Sequence, residues 1–287
     1  MLTVDSFNSK DHIDFRNQRY FEIEKNNSKL LGLSTVEINP TELCNRTCSF
    51  CPRHDPVIYP NQNLHMTVDT ATTLVSQLYN AGFTGDVHIT GFGEPLLNPN
   101  ILDIIKVCSS KFTTELITNG DRLLNNYYSH EQLAAAGLHF LIVDCYDGDA
   151  QYLEVKKLLS TCTIPYRIRN HHDTGQTHLI EVYNFNNRGG MLSKQSSLQK
   201  SCWLPFYKVL VDWNGDVIIC CNDWNRNQKF NNIYNLSIDQ IWMSEKFIEI
   251  RKELEIGNRN KISSCENCNT NGTLQGKDSV ELWKKQF

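Results

Sequence analysis

Three cysteines lie within eight residues of one another in the segment Cys44-Asn45-Arg46-Thr47-Cys48-Ser49-Phe50-Cys51. Thiolates are soft ligands, and such a group suits either an iron–sulfur cluster or zinc. A cubane cluster has four irons and usually takes four cysteines, so three would leave one iron open to a small molecule. The alternative is a structural zinc site that recruits His54. The local spacing leaves both interpretations open.

Cysteine is also abundant outside this segment, since the whole chain contains eleven. No apolar N-terminal stretch resembles a signal peptide and no run approaches a membrane span, so we expect a cytoplasmic protein with reduced cysteines. Metal or cluster binding is then a better explanation of the cysteines than disulfides. Five of them lie in the last third of the sequence: Cys202, Cys220, Cys221, Cys265 and Cys268.

The length and net charge of the chain indicate its domain organisation and exclude some classes of partner. The chain has 287 residues, 40% of them hydrophobic, which is enough for one large domain or a domain with an appendage. The net charge of −4 and the pI of about 6.1 argue against a nucleic-acid groove as the main function. We therefore expect neither a nucleic acid nor a membrane as the partner.

Predicted strands and helices alternate through the first two thirds of the chain. This alternation implies an α/β fold with a parallel sheet, helices outside it and right-handed crossovers. A helix is expected to begin after Ser129, with a capping box to Gln132, and to end at Gly137. The other helices are predicted at 68–81, 98–109 and about 149–160, and the strands at 34–38, 86–90, 112–118, 139–146, 166–170 and 178–183.

The unusual residues follow the ends of these strands, where ligands bind in parallel sheets. The cysteine loop follows the first strand, and Gly91-Phe92-Gly93-Glu94-Pro95 follows the second. Asn119-Gly120 follows the third, and Asp144-Cys145-Tyr146 ends the fourth. Four loops that converge on one face predict a ligand-binding site. Any one of these sequences alone would more often only form a turn.

The pattern changes after about residue 195. Asn214-Gly215 is a strong hairpin signal between predicted strands at 208–213 and 216–221, and two helices follow. A small cysteine-rich appendage of this kind usually needs metal for stability. We therefore divide the chain into an irregular N-terminal extension (1–33), an α/β domain (34–195) and a C-terminal module (196–287).

These motifs resemble the radical S-adenosylmethionine superfamily over roughly residues 34–190. The resemblance is carried by Cys44-x3-Cys48-x2-Cys51 with Phe50, by Gly93-Glu94-Pro95, and by Thr118-Asn119-Gly120. It implies a partial (β/α)6 TIM-like barrel whose three cysteines hold a [4Fe-4S] cluster that binds S-adenosylmethionine. The tail resembles the SPASM or twitch module, a small β-hairpin and helix unit that holds an auxiliary [4Fe-4S] cluster, which implies four ligands: Cys202, Cys220, Cys265 and Cys268.

The resemblance also suggests roles for single residues. Glu94, between Gly93 and Pro95, would accept a hydrogen bond from the methionine ammonium group, and Phe50 would offer a face to adenine or simply pack in the core. Thr118 and Asn119 would bind the cofactor, unless Asn119 only forms a turn. The remaining candidates are catalytic, each with a structural alternative: Arg188 in Asn-Arg-Gly-Gly, Cys145 and Cys221.

The implied reaction begins with a 5′-deoxyadenosyl radical that removes hydrogen from a substrate carbon. We expect a hydroxyl of a sugar or aminocyclitol to be oxidised to a ketone, with a reductant such as flavodoxin or ferredoxin. Three alternatives remain open. They are an epimerase that uses a cysteine as hydrogen donor, a peptide-modifying maturase, and a zinc-binding protein without catalysis.

Overall fold

The structure is a computed structural model that describes residues 10–171, 186–194 and 196–286. Its centre is an eight-stranded sheet with the strand order β5-β4-β3-β2-β1-β6-β7-β8. The strands are β1 (Thr35–Ile38), β2 (Asp86–Ile89), β3 (Thr114–Thr118), β4 (Phe140–Cys145), β5 (Tyr166–Asn170), β6 (Lys208–Val211), β7 (Asp216–Ile218) and β8 (Lys229–Asn232).

Six neighbouring strands of this sheet, from β5 to β6, run parallel to one another. The five strands predicted between residues 34 and 170 are all present, which confirms the α/β fold with a parallel sheet. The sixth predicted strand, at 178–183, lies outside the described residues.

Helices connect the strands and cover one face of the sheet. The helices are α1 (Lys10–Phe21), α2 (Val68–Asn80), α3 (Ile101–Ser109), α4 (Asp121–Leu124), α5 (His130–Ala135), α6 (Asp149–Leu158), α7 (Leu204–Tyr207), α8 (Ile238–Trp242), α9 (Glu245–Glu255) and α10 (Lys277–Gln286). The predicted capping box of α5 is formed, with the Ser129 side chain and the Gln132 side chain each bonding the other's backbone N–H.

Side chains on one strand alternate between the helix-covered core and the other face of the sheet. In β1, Val36 and Ile38 are fully buried in the main apolar core, which they share with residues of α2 and α3 such as Leu74 and Ile104. Glu37, between them, points to the opposite face and forms an ion pair with Lys208 of β6. The inner face of the sheet, opposite the helices, is therefore polar around β1 and β6.

The sequence suggested an irregular N-terminal extension, but the part of it that the structure describes contains the helix α1. This helix is too polar to show a strong apolar stripe, and ion pairs hold it instead. Arg16 pairs with Glu115 of β3, and Arg19 donates two hydrogen bonds to Asp86 at the start of β2. The helix thus lies against the amino-terminal ends of the parallel strands.

The C-terminal module shares the sheet with the α/β domain, because β6 pairs in parallel with β1. The predicted hairpin is present as the antiparallel pair β6–β7, and β8 adds a strand that the sequence did not suggest. None of the described helices is long and apolar enough to cross a membrane.

Candidate active site

The first cysteine loop, Cys44 to Cys51, is tied to the loops that follow β3 and β4. Arg46 forms ion pairs with Asp121 and Asp147, at 2.5 and 2.7 Å. Asn45 accepts a hydrogen bond from the Asn119 side chain at 2.9 Å. The Asn-Arg pair inside the cysteine motif therefore fixes the loop over the carboxyl ends of the strands.

The three thiols of this loop lie close enough to interact electrostatically. Burial, with a smaller contribution from the neighbouring thiols, raises the pKa of Cys44 to about 11 and that of Cys48 to about 12. Thiolates crowded in this way need positive charge to become stable, which iron ions supply. Three thiols gathered in one loop fit three of the four irons of a cubane and leave the fourth iron open to a small molecule.

A buried charge network supports the base of the same loop. The Glu42 carboxylate accepts hydrogen bonds from Arg53 and Tyr59, at 3.2 and 2.8 Å, and pairs with Arg226. Arg226 also pairs with Asp212, in the turn between β6 and β7. The network joins the first cysteine loop to the C-terminal module and fixes their relative position.

Glu94 lies at the centre of the face where the loops meet and is 3% exposed. Its carboxylate accepts hydrogen bonds from the Thr118 hydroxyl at 2.6 Å, the Asn119 N–H at 2.8 Å and the Leu96 N–H at 3.0 Å. Burial raises the pKa of Glu94 to about 7, although these three donors oppose the shift. Thr118 and Asn119, which the sequence predicted to bind the cofactor, therefore orient the Glu94 carboxylate.

Gly93 and Pro95 hold Glu94 in this position. A Cβ on Gly93 would lie 2.3 Å from the Thr41 carbonyl oxygen and 2.5 Å from that of Leu43, so only glycine allows this approach to the cysteine loop. The Glu94 N–H donates to the Leu43 oxygen at 2.7 Å. Pro95 is buried and begins a short 3-10 turn.

Phe50 lies at the edge of an aromatic and ionic group on β4 and β5. Its ring is 5.3 Å from that of Tyr146, which stacks on His171 at 4.9 Å. His171 and Arg169 both bond the Asp144 carboxylate. Burial alone would raise the pKa of Asp144, but Arg169 and His171 hold it well below its usual range.

The four predicted auxiliary ligands are buried and lie together. Burial is the main cause that raises the pKa of the Cys220 thiol, and the nearby thiols of Cys221, Cys265, Cys268 and Cys202 add to the effect. Arg259, which is 1% exposed, donates to the carbonyl oxygens of Lys200 and Ser201 on one side and of Thr270 on the other. It thereby links the segments that carry Cys202 and Cys268. These four thiols fit the complete ligand set of a second cubane.

The Asn187-Arg188-Gly189-Gly190 turn contacts both cysteine regions. A Cβ on Gly189 would lie 2.4 Å from the Asn222 carbonyl oxygen, and one on Gly190 would lie 2.6 Å from Asn267 Cβ. Arg188 itself has φ +51°, a region that costs a non-glycine residue energy and is common at functional sites. Its Nε donates to the Phe50 carbonyl oxygen at 3.4 Å. Arg188 therefore lies between the first cysteine loop and the auxiliary segment.

A cavity of about 720 Å³ occupies the inner face of the sheet. It is lined by residues of the sheet, α1, the Arg188 turn and the segment after Cys268. The charged side chains in its wall are Arg16, Glu37, Arg169, Arg188 and Lys208. A polar cavity of this size suits a small hydrophilic substrate.

Cys221 and Cys220 have different surroundings, as expected for neighbours on an extended segment. The Cys221 thiol lines the cavity beside Glu37, and its side chain packs against the apolar group that contains Trp224. The Cys220 thiol lies within electrostatic reach of Cys221 and of the other three auxiliary cysteines. The assignment of Cys220 as the ligand and of Cys221 as the spare thiol stays a prediction.

Cys145, which the sequence offered as a catalytic candidate, lies within electrostatic reach of Arg46 and Asp147, but its side chain belongs to the core. It is 0% exposed and belongs to the main apolar core. The reason is the alternation of β4, which directs Asp144 to the inner face beside Arg169 and Cys145 to the opposite one.

Sequence reasoning missed the cavity residues on the strands and on α1. Glu37, His88 and Arg169 are charged or polar residues that alternate with apolar neighbours inside short strands, and all three line the cavity. A buried strand that carries one polar residue at an alternate position is the signal that could have found them.

Two family models match the chain. The Radical SAM superfamily model matches residues 38–171, and the SPASM model, an iron–sulfur cluster-binding domain, matches residues 202–269. The two matched ranges contain the first cysteine loop and all four auxiliary cysteines. They favour iron–sulfur clusters over the zinc interpretation.

Relatives of known activity match most of the chain. The S-adenosyl-L-methionine-dependent 2-deoxy-scyllo-inosamine dehydrogenase of Niallia circulans is 30% identical over 250 residues, which cover 84% of this chain and 94% of the relative. The crystal structure of BtrN in complex with AdoMet and 2-DOIA superposes with a TM-score of 0.72, at 27% identity and with 85% and 96% of the two chains covered. BtrN in an open conformation gives a TM-score of 0.61 at 25% identity, with 83% and 92% covered.

Proposed function

The chain belongs to the radical S-adenosylmethionine superfamily, and we propose that it oxidises a hydroxyl-bearing carbon of an aminocyclitol or sugar to a ketone. It is an oxidoreductase related to 2-deoxy-scyllo-inosamine dehydrogenase. Its cofactors are S-adenosylmethionine, the [4Fe-4S] cluster that binds it and an auxiliary [4Fe-4S] cluster. When bound, they supply the 5′-deoxyadenosyl radical and an acceptor for the second electron.

We assign the ligands of the two clusters from the positions of the thiols. Cys44, Cys48 and Cys51 hold the cluster that binds S-adenosylmethionine, and Glu94 accepts a hydrogen bond from the methionine ammonium group. Phe50 packs against the adenine. The auxiliary cluster takes the four buried thiols: Cys202, Cys220, Cys265 and Cys268. The expected reductant is a flavodoxin or a ferredoxin.

One observation carries the choice of a dehydrogenase. Arg188 lines the polar cavity and bonds the Phe50 carbonyl oxygen of the first cysteine loop, while its turn packs against Asn222 and Asn267 near the auxiliary cysteines. A substrate in the cavity would therefore lie between the site of hydrogen abstraction and the electron acceptor. We assign to Arg188 the role of holding the reacting hydroxyl, because it is a charged donor in the cavity wall.

Product analysis tests this proposal. The anaerobically reconstituted enzyme is incubated with S-adenosylmethionine, dithionite and 2-deoxy-scyllo-inosamine or related sugars. We expect a ketone and 5′-deoxyadenosine in equal amounts. If 5′-deoxyadenosine forms but no compound in the panel yields a ketone, the proposal of a dehydrogenase is contradicted.

A second candidate is an epimerase, and the cavity position of Cys221 favours it. A thiol beside the substrate radical could return a hydrogen atom to the opposite face of the carbon. In deuterated water, such a reaction would place deuterium on the reacting carbon, and Cys221→Ala would abolish it. A ketone without solvent deuterium, formed equally well by Cys221→Ala, would leave only the dehydrogenase.

A further inference from the structure

We propose that Tyr20 of α1 and Glu37 of β1 form a subsite that binds hydroxyl groups of the substrate. The inference rests on the proposed function only in taking the cavity as the substrate site. It assigns a role to the N-terminal helix and names the chemical class that the cavity recognises, an uncharged polyhydroxylated face of a ring.

Polar atoms without partners define this subsite. Tyr20 and Glu37 are 3% and 5% exposed, and both line the cavity. Among the described residues, neither the Tyr20 hydroxyl nor Glu37 Oε2 has a hydrogen-bond partner. The Cys221 thiol beside Glu37 is only a weak donor. Because folded proteins rarely leave buried polar atoms unpaired, these two atoms are placed to bind a ligand.

Two further unpaired atoms line the same cavity: Asn222 Oδ1 and Thr270 Oγ1. The set combines hydroxyls, which both donate and accept, with oxygens that only accept. A ring that carries several hydroxyl groups could satisfy all of them at once, since each hydroxyl also donates and accepts. An apolar ligand would leave every one of these atoms unpaired.

The charge of the subsite selects hydroxyl over ammonium. Lys208 Nζ lies 2.8 Å from Glu37 Oε1, so the carboxylate is already neutralised by an ion pair. The Lys208 ammonium also lies within electrostatic reach of Tyr20 and Tyr207. A substrate ammonium placed at Oε2 would meet this positive charge, whereas a hydroxyl would not.

The N-terminal helix holds Tyr20 firmly in the wall. Arg16 and Arg19 anchor the helix to Glu115 and Asp86, and the Tyr20 ring lies 5.3 Å from that of Tyr207. Tyr20 lies outside both ranges matched by family models, 38–171 and 202–269. The helix α1 is therefore a part of the cavity wall that can determine which substrate binds, without affecting the radical chemistry that the superfamily shares.

The experiment compares Tyr20→Phe with Tyr127→Phe, whose ring is 65% exposed and lies outside the cavity. Binding of scyllo-inositol is measured by calorimetry on reconstituted protein with S-adenosylmethionine and no reductant, so that no turnover occurs. The Tm of the protein without scyllo-inositol is measured in parallel. We expect Tyr20→Phe to weaken binding roughly 2- to 12-fold, as for one neutral hydrogen bond, and Tyr127→Phe to leave it unchanged.

The Tm separates this role from a structural one. Removing a hydroxyl that has no partner in the unliganded protein should leave the Tm unchanged or raise it. A lower Tm, or an unchanged dissociation constant, would overturn the assignment of Tyr20. So would failure of the wild-type protein to bind scyllo-inositol.

The Glu37→Gln variant tests the preference for hydroxyl. Its loss of affinity should be similar for scyllo-inositol and for 2-deoxy-scyllo-inosamine. A much larger loss for the amine would show that Glu37 binds ammonium and would overturn the hydroxyl assignment. Tyr20-dependent binding without ketone formation from either compound would instead reject the proposed function and leave the subsite standing.

Discussion

Replacing Glu94 by glutamine tests the cofactor site most sharply, because the carboxylate is buried and its partners are known. Its oxygens already accept from Thr118, Asn119 and Leu96, at 2.6 to 3.0 Å. The methionine ammonium would add a charge-assisted hydrogen bond, whose loss costs about 1.5–3 kcal/mol. We therefore expect Glu94→Gln to raise the dissociation constant of S-adenosylmethionine roughly 10- to 150-fold.

The raised pKa of Glu94 adds a pH dependence to this prediction. Burial places the pKa at about 7 in the ligand-free protein, above the value of a free carboxyl. Only the ionised form attracts the ammonium, so the affinity for S-adenosylmethionine should rise by roughly tenfold from one unit below that pKa to one unit above it. The stability of the ligand-free protein should move the other way, because a raised carboxyl pKa favours folding at low pH and this contribution is lost as the pH passes 7.

The assay is equilibrium binding of S-adenosylmethionine to anaerobically reconstituted protein over this pH range. Glu154→Gln is the matched control, because Glu154 is exposed on α6. Glu94→Gln should lose both affinity and pH dependence while its iron content stays at the wild-type level. An unchanged dissociation constant with an unchanged pH profile would remove Glu94 from the cofactor site.

Three further predictions concern the clusters and the N-terminal helix. Changing the three cysteines of the first cysteine loop to Ala should leave about four of the eight irons and abolish cleavage of S-adenosylmethionine, and retained cleavage would refute the assignment. Cys220→Ala should lose the auxiliary cluster by iron analysis, whereas Cys221→Ala should keep it, and the reverse result would exchange their roles. Arg16→Met leaves the buried Glu115 carboxylate unpaired and should lower the free energy of unfolding by about 3–5 kcal/mol, measured by denaturant titration. The double variant with Glu115→Leu should recover much of that loss, and no recovery would show that Arg16 stabilises the helix in another way.

The sequence predicted the parallel sheet well because its strands are apolar, short and separated by amphipathic helices. The hairpin around Asn214-Gly215 was equally clear, since its turn chemistry is local. The helix α1 was missed for the opposite reason. Its stability depends on Arg16 and Arg19 meeting Glu115 and Asp86, which are far away in the sequence, and no local pattern shows these ion pairs.

The residues of the candidate site also fall into two groups, those that local sequence motifs reveal and those that only the folded structure brings together. Motifs in consecutive residues, such as the cysteine loop and Gly93-Glu94-Pro95, could be recognised directly. The cavity wall could not, because Tyr20, Glu37 and Lys208 meet only after β1, β6 and α1 have packed together. Cys145 shows the remaining difficulty, since a shift of one position along a strand moves a side chain from the site to the core.

Isotope transfer tests the central claim most directly. The substrate is 2-deoxy-scyllo-inosamine with deuterium on its hydroxyl-bearing carbons, supplied to the reconstituted enzyme with S-adenosylmethionine and a reductant. We predict that deuterium appears in 5′-deoxyadenosine in the same amount as the ketone is formed. Deuterium-free 5′-deoxyadenosine alongside a ketone, or deuterated 5′-deoxyadenosine with no ketone, would contradict the account.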